Sequence, residues 1–522
     1  MVYFIMFRKN TEHLQGSIFA TVEMLLSESQ KKAYLESRER WFYELVFKRI
    51  DEKAFAPLYS EEKSRPNAAI NCMVGALILQ SYNRWSYEFL MRQVRFDILM
   101  RSAIGLTSLD EVPFCEATLF NFQNRLLAYE LATGTHLIEQ LFDGLTAEQL
   151  KTLKLKADYQ RCDSVQVESN IRTYSRIQLL IEVLLRVYRV FSEEDKERFR
   201  ESFEPFVGKS SGQYVYRIEH SELGTEFERV AAVYLAIRET VGTTYGETEI
   251  ARIFERVFDE HFTMVDDRIA IRPSEELHSG SLQSPDDEDA TYRKKRGVSY
   301  RGQILTATET CNPENELQLI TDVHVTANNR DDSDELHDRL DEIKEKTPEI
   351  AVLYTDGGYG SEENDTTLEL MGIEQVQTAI RGRKSSVDIE ITKKEDGFYE
   401  VRCPYQSGEI HVARKRMKAV MRGSICATCP MSGSCPSQKR RSGRVIYFDD
   451  QDVLRQKRQR NIRALPEELR NLRPNVEATM REFSRRTEAG KLKVRGLFKA
   501  ELFAVMTAIG INFGRVYRYA CT

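Results

Sequence analysis

From residue 1 to about 150, apolar residues recur at helical spacing and strand-like alternation is scarce. The run 65–106 alternates apolar and basic faces, and VPFCEATLFNFQNRLL (112–127) predicts a helix after Pro113 with Leu119, Phe122 and Leu126 on one face. Arg95, Arg101, Asn121, Asn124 and Arg125 are left for solvent or a partner. This pattern predicts a helical domain over 1–150, either a plain bundle with a solvated face or a helix-turn-helix-like DNA-binding arrangement. Beyond it the period changes. KADYQRCDSVQVESNI (156–171) alternates as a strand and turns Asp163, Val165 and Val167 to the same side. A carboxylate sharing a face with two valines is costly unless it is paired or holds a metal. Residues 175–265 return to helical spacing in LLIEVLLRVYRVF and AAVYLAIRETV, and 279–297 reads as a polar loop with opposite charges in blocks. Two strands follow, VSYRGQILTATET (298–310) and ELQLITDVHVTA (316–327). Next come a helix over 331–346, with Asp331 or Asp332 near its positive end, and the strand that opens VLYTDGGYGSEEN (352–364).

That last stretch delivers Asp356 to a turn of closely spaced glycines at a strand's C-terminal end, where active sites of α/β sheets gather. Taken alone, it fits an aspartate that serves its own turn. No Gly-Lys-Ser/Thr follows, and Gly358–Gly360 lacks the third glycine of a dinucleotide fingerprint. The element order changes this reading. With the helical stretch of about 172–290 set aside as an insertion, residues 151–522 begin strand–strand–strand–helix–strand. This is the opening of a ribonuclease H-like α/β fold, in which the first and fourth strands lie side by side. Asp163 and Asp356 would then meet, and paired carboxylates suit two Mg²⁺ (or Mn²⁺) ions in phosphodiester chemistry.

Composition sets outer limits. The chain has 522 residues, 41% hydrophobic and 30% charged, enough for two to four domains of a soluble globular protein. Its net charge of −6 argues weakly against a chain coated in nucleic acid, but an average can hide a basic face. MVYFIMFRKN has too short an apolar run for a signal peptide, and LFAVMTAIGINF (502–513) is too short to span a bilayer and reads as a buried helix. Nine cysteines, an odd number, point to a reducing, cytoplasmic setting rather than a disulfide framework.

At these strands the chain resembles the DDE transposases of bacterial insertion sequences, those with a helical N-terminal domain and a ribonuclease H-like catalytic domain. RCDSVQVESNI is similar to the family's first-acid strand. DVHVTANNRDDSDELHDRL and VLYTDGGYGSEEN resemble its strand, helix and second-acid strand. LRPNVEATMREFSRR, with LKVRGLFKAELFAVMTAIGINFGRV after it, resembles the third-acid helix and its tail. The resemblance implies a catalytic, metal-holding triad of Asp163, Asp356 and Glu477, the first two bridging the metals and the third completing the second site. In some relatives a tyrosine, arginine, glutamate and lysine series surrounds the third acid. Arg473 and Glu477 fit it, while Arg470 and Ser484 stand at the tyrosine and lysine positions. Pro474 suits a helix start, and Arg473 and Arg481, at i−4 and i+4, are expected to flank Glu477 and favour its charged form.

Two further signals lie in an expected insertion of about 385–460. Cys403, Cys426, Cys429 and Cys435 include one CxxC pair, whose spacing lets two thiolates share a tetrahedral Zn²⁺; reduced surface thiols are the alternative. The same segment is locally basic, with Arg414, Lys415, Arg416, Lys439, Arg440 and Arg441. With Arg95, Arg101, Arg125, Arg473 and Arg481 these are the candidate DNA contacts. The expected activity is binding of the element's terminal repeats, metal-dependent cleavage and strand transfer into target DNA. The expected state is a DNA-bound homo-oligomer near the nucleoid, with no membrane partner. A ribonuclease H-like nuclease without strand transfer, or an inactive DNA-binding derivative, is the rival reading.

Overall fold

The structure is a computed structural model that describes residues 5–14, 22–60, 65–106, 112–265, 268–377, 387–394, 397–413, 416–440, 443–470 and 472–521. The N-terminal part is helical, as its periodicity predicts. Helix α1 (Ile70–Asn83) is apolar almost all round and correspondingly buried from Ile70 to Gln80. Helix α2 (Glu116–Thr133) buries Leu119, Phe122 and Leu126 and stops at Gly134, which takes the left-handed conformation of a C-cap. Helix α3 (Leu137–Leu153) follows and leads into the sheet.

Strand β1 (Tyr159–Glu168) carries Asp163. Between it and the next strand lie α4 (Arg176–Val190), α5 (Leu223–Tyr245) and α6 (Glu249–His261). Their apolar faces close over a core of their own, which includes Leu180, Phe203, Tyr234 and Phe254. The chain then returns through β2 (Thr291–Lys295), β3 (Val298–Thr310) and β4 (Ile320–Ala327). Strand β2 lies in the stretch expected to be a polar loop. Arg296 and Gly297, both at positive φ, make the two-residue turn that pairs Lys295 with Val298. Such turns normally announce themselves as Asn-Gly or Asp-Gly, so an Arg-Gly turn gives little signal.

Helix α7 (Asp332–Lys346), β5 (Val352–Thr355), α8 (Glu362–Leu370) and β6 (Glu374–Gln377) complete the sheet. Its order is β6-β5-β1-β3, and β2 and β4 share the far edge of β3 end to end. Strands β1, β5 and β6 run parallel, and β3 is antiparallel to β1. Beyond the sheet, small antiparallel sheets between Glu390 and Phe448 precede α9 (Asp450–Ala464), α10 (Val476–Ser484) and α11 (Leu497–Ala520).

Helix α11 runs for 24 residues, twice the apolar stretch read from sequence, and is long and apolar enough to cross a membrane by length and composition. Its apolar window is 67% buried inside the fold. It packs on α1, where a Cβ at Gly510 would come within 2.6 Å of Tyr82, so glycine sets the approach of the two helices. The buried residues of the N-terminal helices form one core with Val505, Ile509 and Phe513 of α11 and with Val167, Leu305 and Val323 of the sheet. Packing therefore runs through the boundary expected near 150. A buried charge cluster reinforces it: Asp322 of β4 takes Arg339 (2.8 Å) and Lys346 (2.7 Å) of α7, and both cations also pair with Glu139 of α3. Burial alone would raise the Asp322 carboxyl, but Lys346 and Arg339 outweigh it and hold the group well below the usual range.

Candidate active site

Strands β1 and β5 pair in parallel, Tyr159 with Val352, Gln160 with Leu353 and Arg161 with Tyr354. Two residues further along each strand's direction stand Asp163 and Asp356, so the same register sets them side by side where β5 ends. One guanidinium nitrogen of Arg473 confirms the proximity: Nη2 lies 2.6 Å from Asp163 Oδ2 and 4.0 Å from Asp356 Oδ2.

Each carboxylate divides its oxygens between architecture and site. The Ser164 N–H donates to Asp163 Oδ1 at 2.9 Å, leaving Oδ2 for Arg473. The Gly358 N–H donates to Asp356 Oδ1 at 2.6 Å, which is the turn-making role common to aspartate before glycine. Its Oδ2 faces the shared site, so Asp356 serves both the turn and the pair. Burial raises the pKa of Asp163, Arg473 opposes that rise, and the charge of Asp356 adds to it. Lys295 of β2 is another cation felt by Asp163.

A third carboxylate approaches that sequence reading left at a helix start. The cap of α7 is Asp331, whereas the Asp332 side chain turns inward and is buried. A Cβ at Gly358 would lie 2.9 Å from Asp356 Oδ1 and 3.0 Å from Asp332 Oδ2, so the glycine turn leaves room for both acids. Gly360 has a different task. A Cβ there would meet the Arg458 guanidinium at 2.4 Å, and Arg458 holds this loop through Asp365 (3.1 Å) and the carbonyl of Ser361 (3.0 Å). A basic residue of the insertion thus braces the loop after Asp356.

Glu477 stands at the start of α10, which packs on β1, and is exposed. A buried cluster positions this helix. Glu309 of β3, wholly buried, accepts from Arg161 Nε at 2.7 Å, Thr479 Oγ1 at 2.6 Å and Arg515 Nη1 at 2.7 Å. Arg161 also donates to the carbonyl of Leu472, just before the turn that carries Arg473. Strand β1, helix α10 and helix α11 are thereby fixed to one carboxylate. The sequence held a signal for it, since Arg161 and Glu309 are charged residues inside strands, but only the β1–β3 register makes them neighbours. Arg473 lies in the single turn before α10 and pairs with Asp163. Among the described residues, neither Arg473 nor Arg481 forms the ion pair with Glu477 that helical spacing predicts.

The other expected positions are scattered. Arg101 departs from expectation: it is buried, and its Nη1 donates to the carbonyl of Val94 at 3.0 Å, closing a local helix junction instead of facing a partner. Arg95 and Arg481 are exposed, and Arg125 lies 4.9 Å from the Tyr59 ring centre beside a cleft of about 480 Å³ that also includes Arg8, Lys9 and Asn121. Lys439 and Arg440 are exposed on a strand, and Arg416 pairs with Asp449 at 3.2 Å. Arg414, Lys415 and Arg441 lie outside the described residues. Cys403, Cys426, Cys429 and Cys435 line one small cavity with Val387 and Met421. Their sulfurs do not meet within 4.8 Å in any group of three. Burial raises the Cys426 thiol, and Cys403 and Cys435 add to the rise.

The oxygen donors around Asp163, Asp356 and Asp332 suit hard divalent cations, and Arg473 supplies positive charge where the first two converge. Comparison with known families agrees with this reading of the fold. The transposase DDE domain family matches residues 402–517, and a second family, described as Transposase domain (DUF772), matches residues 30–125. No curated protein and no solved structure matches the chain. The DDE domain implies a ribonuclease H-like fold, and the mixed sheet with its helical N-terminal region is consistent with it. The two matches, one toward each end of the chain, support a DDE transposase of the insertion-sequence type.

Proposed function

We propose that the chain binds the ends of its insertion sequence, cleaves DNA there and joins the freed 3′ hydroxyl to target DNA. The observation that carries this reading is the side-by-side placement of Asp163 and Asp356 on parallel strands, with one guanidinium spanning both. Asp163, Asp356 and Glu477 would hold divalent ions, Mg²⁺ or Mn²⁺, and bound ions would supply activation of the attacking oxygen and charge stabilisation at the leaving one. The protein's own part is to hold the carboxylates in place. Ser164 and Gly358 fix the first two through backbone N–H groups, and the Glu309 cluster fixes the helix of the third. Arg473 keeps Asp163 neutralised before substrate arrives, and it stands where it can pass to a phosphate oxygen when cations take its place. No covalent enzyme intermediate is required. Joining two ends at one target calls for two such sites, hence a homo-oligomer on DNA. A strand-transfer assay with labelled end DNA and a target plasmid tests the proposal: joined products are expected, and cut but never joined DNA would leave a nuclease.

The N-terminal helices, about 1–150, are assigned to recognition of the element's ends, and the basic segment of about 385–460 to phosphate contact beside the site. Because the helices share a core with α11, the test belongs in the full chain. Arg95→Ala and Arg125→Ala are expected to weaken binding of end DNA and to lower its salt dependence by about one unit of log–log slope each, the amount one phosphate contact contributes. Unchanged affinity and slope would remove both arginines from the interface.

The four cysteines are assigned a structural Zn²⁺. They surround one cavity, and four soft thiolates drawn together by the ion would complete a closed tetrahedral shell. Cys426→Ser together with Cys429→Ser is expected to lower the Zn²⁺ content of the purified chain by about one equivalent. Equal zinc in variant and wild type would leave them as ordinary packed thiols.

A further inference from the structure

A second constellation of metal-type ligands shares no residue with the acid pair. Glu130 comes from the end of α2, His136 from the residue that starts α3, and Glu501 from the first turns of α11. One ligand atom from each lies within 4.8 Å of the other two, and it is the one such group among the described residues. His136 Nδ1 is 3.1 Å from Glu130 Oε2. From the sheet side, His324 of β4 brings Nδ1 to 3.7 Å from Glu501 Oε1. That nitrogen is buried and makes no hydrogen bond. Behind it, His324 Nε2 lies 3.7 Å from Glu335 Oε2, an arrangement by which a carboxylate orients a ligating imidazole.

The charges around the cluster do not balance. Glu130, Glu501 and Glu335 gather here, and among the described residues the lasting cation paired with them is Arg330, 3.4 Å from Glu335 and shared with Asp338. Glu139 lies close by but is taken up by Arg339 and Lys346. Burial raises the Glu130 carboxyl, His136 opposes that, and the charges of Glu501 and Glu139 add to the rise. Half-buried carboxylates facing two imidazoles are a costly arrangement for solvent-exchanged charges and a favourable one for a bound cation.

We propose that Glu130, His136 and Glu501, with His324 as the fourth donor, form a site for a divalent transition ion of the Zn²⁺ class. Two imidazole nitrogens favour such an ion over Mg²⁺, which demands oxygen ligands. The ion's role is mechanical. Its ligands come from the N-terminal helices, from the closing helix and from the sheet, so one ion clips three layers at a place apart from the Asp322 and Glu309 clusters that also join them. The site stands independently of the chemistry assigned to Asp163 and Asp356.

The test uses the full chain, stripped by chelator, dialysed against Zn²⁺ and freed of excess metal by gel filtration. His136→Ala and His324→Gln are each expected to retain about one Zn²⁺ fewer per chain than wild type, whatever the cysteine segment contributes. Zn²⁺ is expected to raise the melting temperature of wild type more than that of either variant, and Mg²⁺ at the same concentration is expected not to substitute. Should a histidine variant fail to fold, Glu130→Gln, which keeps the side chain's shape, is expected to show the same loss of one equivalent. Equal zinc in wild type and in every folded variant would overturn the site and leave the cluster as proton-sharing ion pairs.

Discussion

Asp163→Ala and Asp356→Ala are each expected to reduce Mg²⁺-dependent cleavage of end DNA to background, while binding of that DNA in the absence of metal is expected to stay close to wild type. The expectation rests on two features. The β1–β5 register brings the carboxylates together, and each keeps one oxygen free of architectural duty. Cation binding by carboxylates grows steeply with ligand charge, so losing either acid should remove metal occupancy rather than merely weaken it. The folding consequences differ. Asp163→Ala leaves the buried Arg473 guanidinium with Asp356 alone, 4.0 Å away, so it should cost stability through that unbalanced charge. Asp356→Ala also removes the acceptor for the Gly358 N–H and loosens the turn. Asp356→Asn, which keeps an oxygen for that turn, is therefore the cleaner probe and should be equally inactive. Near wild-type cleavage by any of the three would take the acid pair out of the chemistry.

Much of this site was legible in the sequence because it depends on strand periodicity and element order. Asp163 betrayed itself by sharing a strand face with valines, and Asp356 by ending an apolar run at a glycine turn. The adjacency of their strands followed from the order of elements, once the helical stretch after β1 was set aside. What stayed hidden depends on contacts across long separations. Arg161 and Glu309 form the clamp that fixes α10, yet each alone looks like an ordinary polar residue in a strand. Asp332 read as a helix-start acid because the sequence cannot say which of two neighbouring aspartates caps and which turns inward. Arg101 read as a surface cation because helical spacing does not reveal a side chain folding back on a carbonyl of its own junction. Strand β2 was lost to a turn whose arginine takes a positive φ that usually belongs to asparagine or glycine. The Glu130–His136–Glu501 cluster joins parts of the chain hundreds of positions apart, with no local motif to mark it.

Glu477→Gln is expected to lower cleavage by about 10²- to 10³-fold, the scale on which removing one transition-state stabilising group acts. The closing region contains four glutamates that could be the third acid, and their surroundings separate them. Glu482 is committed to architecture: it takes Arg515 at 2.9 Å and lies 3.8 Å from Arg518. Glu488 lies in a tight turn whose backbone pairs with Lys491, well past the end of α10. Glu501 faces His324 of β4, in the cluster with Glu130 and His136. Glu477 alone begins the helix that packs on β1, four residues after the arginine that touches both aspartates. Two residues beyond it, Thr479 anchors that helix to Glu309, so the carboxylate is held by a fixed backbone while, among the described residues, its own oxygens stay uncommitted. An exposed carboxylate that forms no ion pair among the described residues suits a ligand awaiting cation and substrate; the neighbouring arginine goes to Asp163 instead. Glu482→Gln should cost stability through Arg515 but leave the cleavage rate per folded molecule within a few-fold of wild type, and Glu488→Gln should change neither stability nor rate. Measuring all three variants on one labelled end substrate decides the matter. A rate for Glu482→Gln below that of Glu477→Gln would move the third acid along α10.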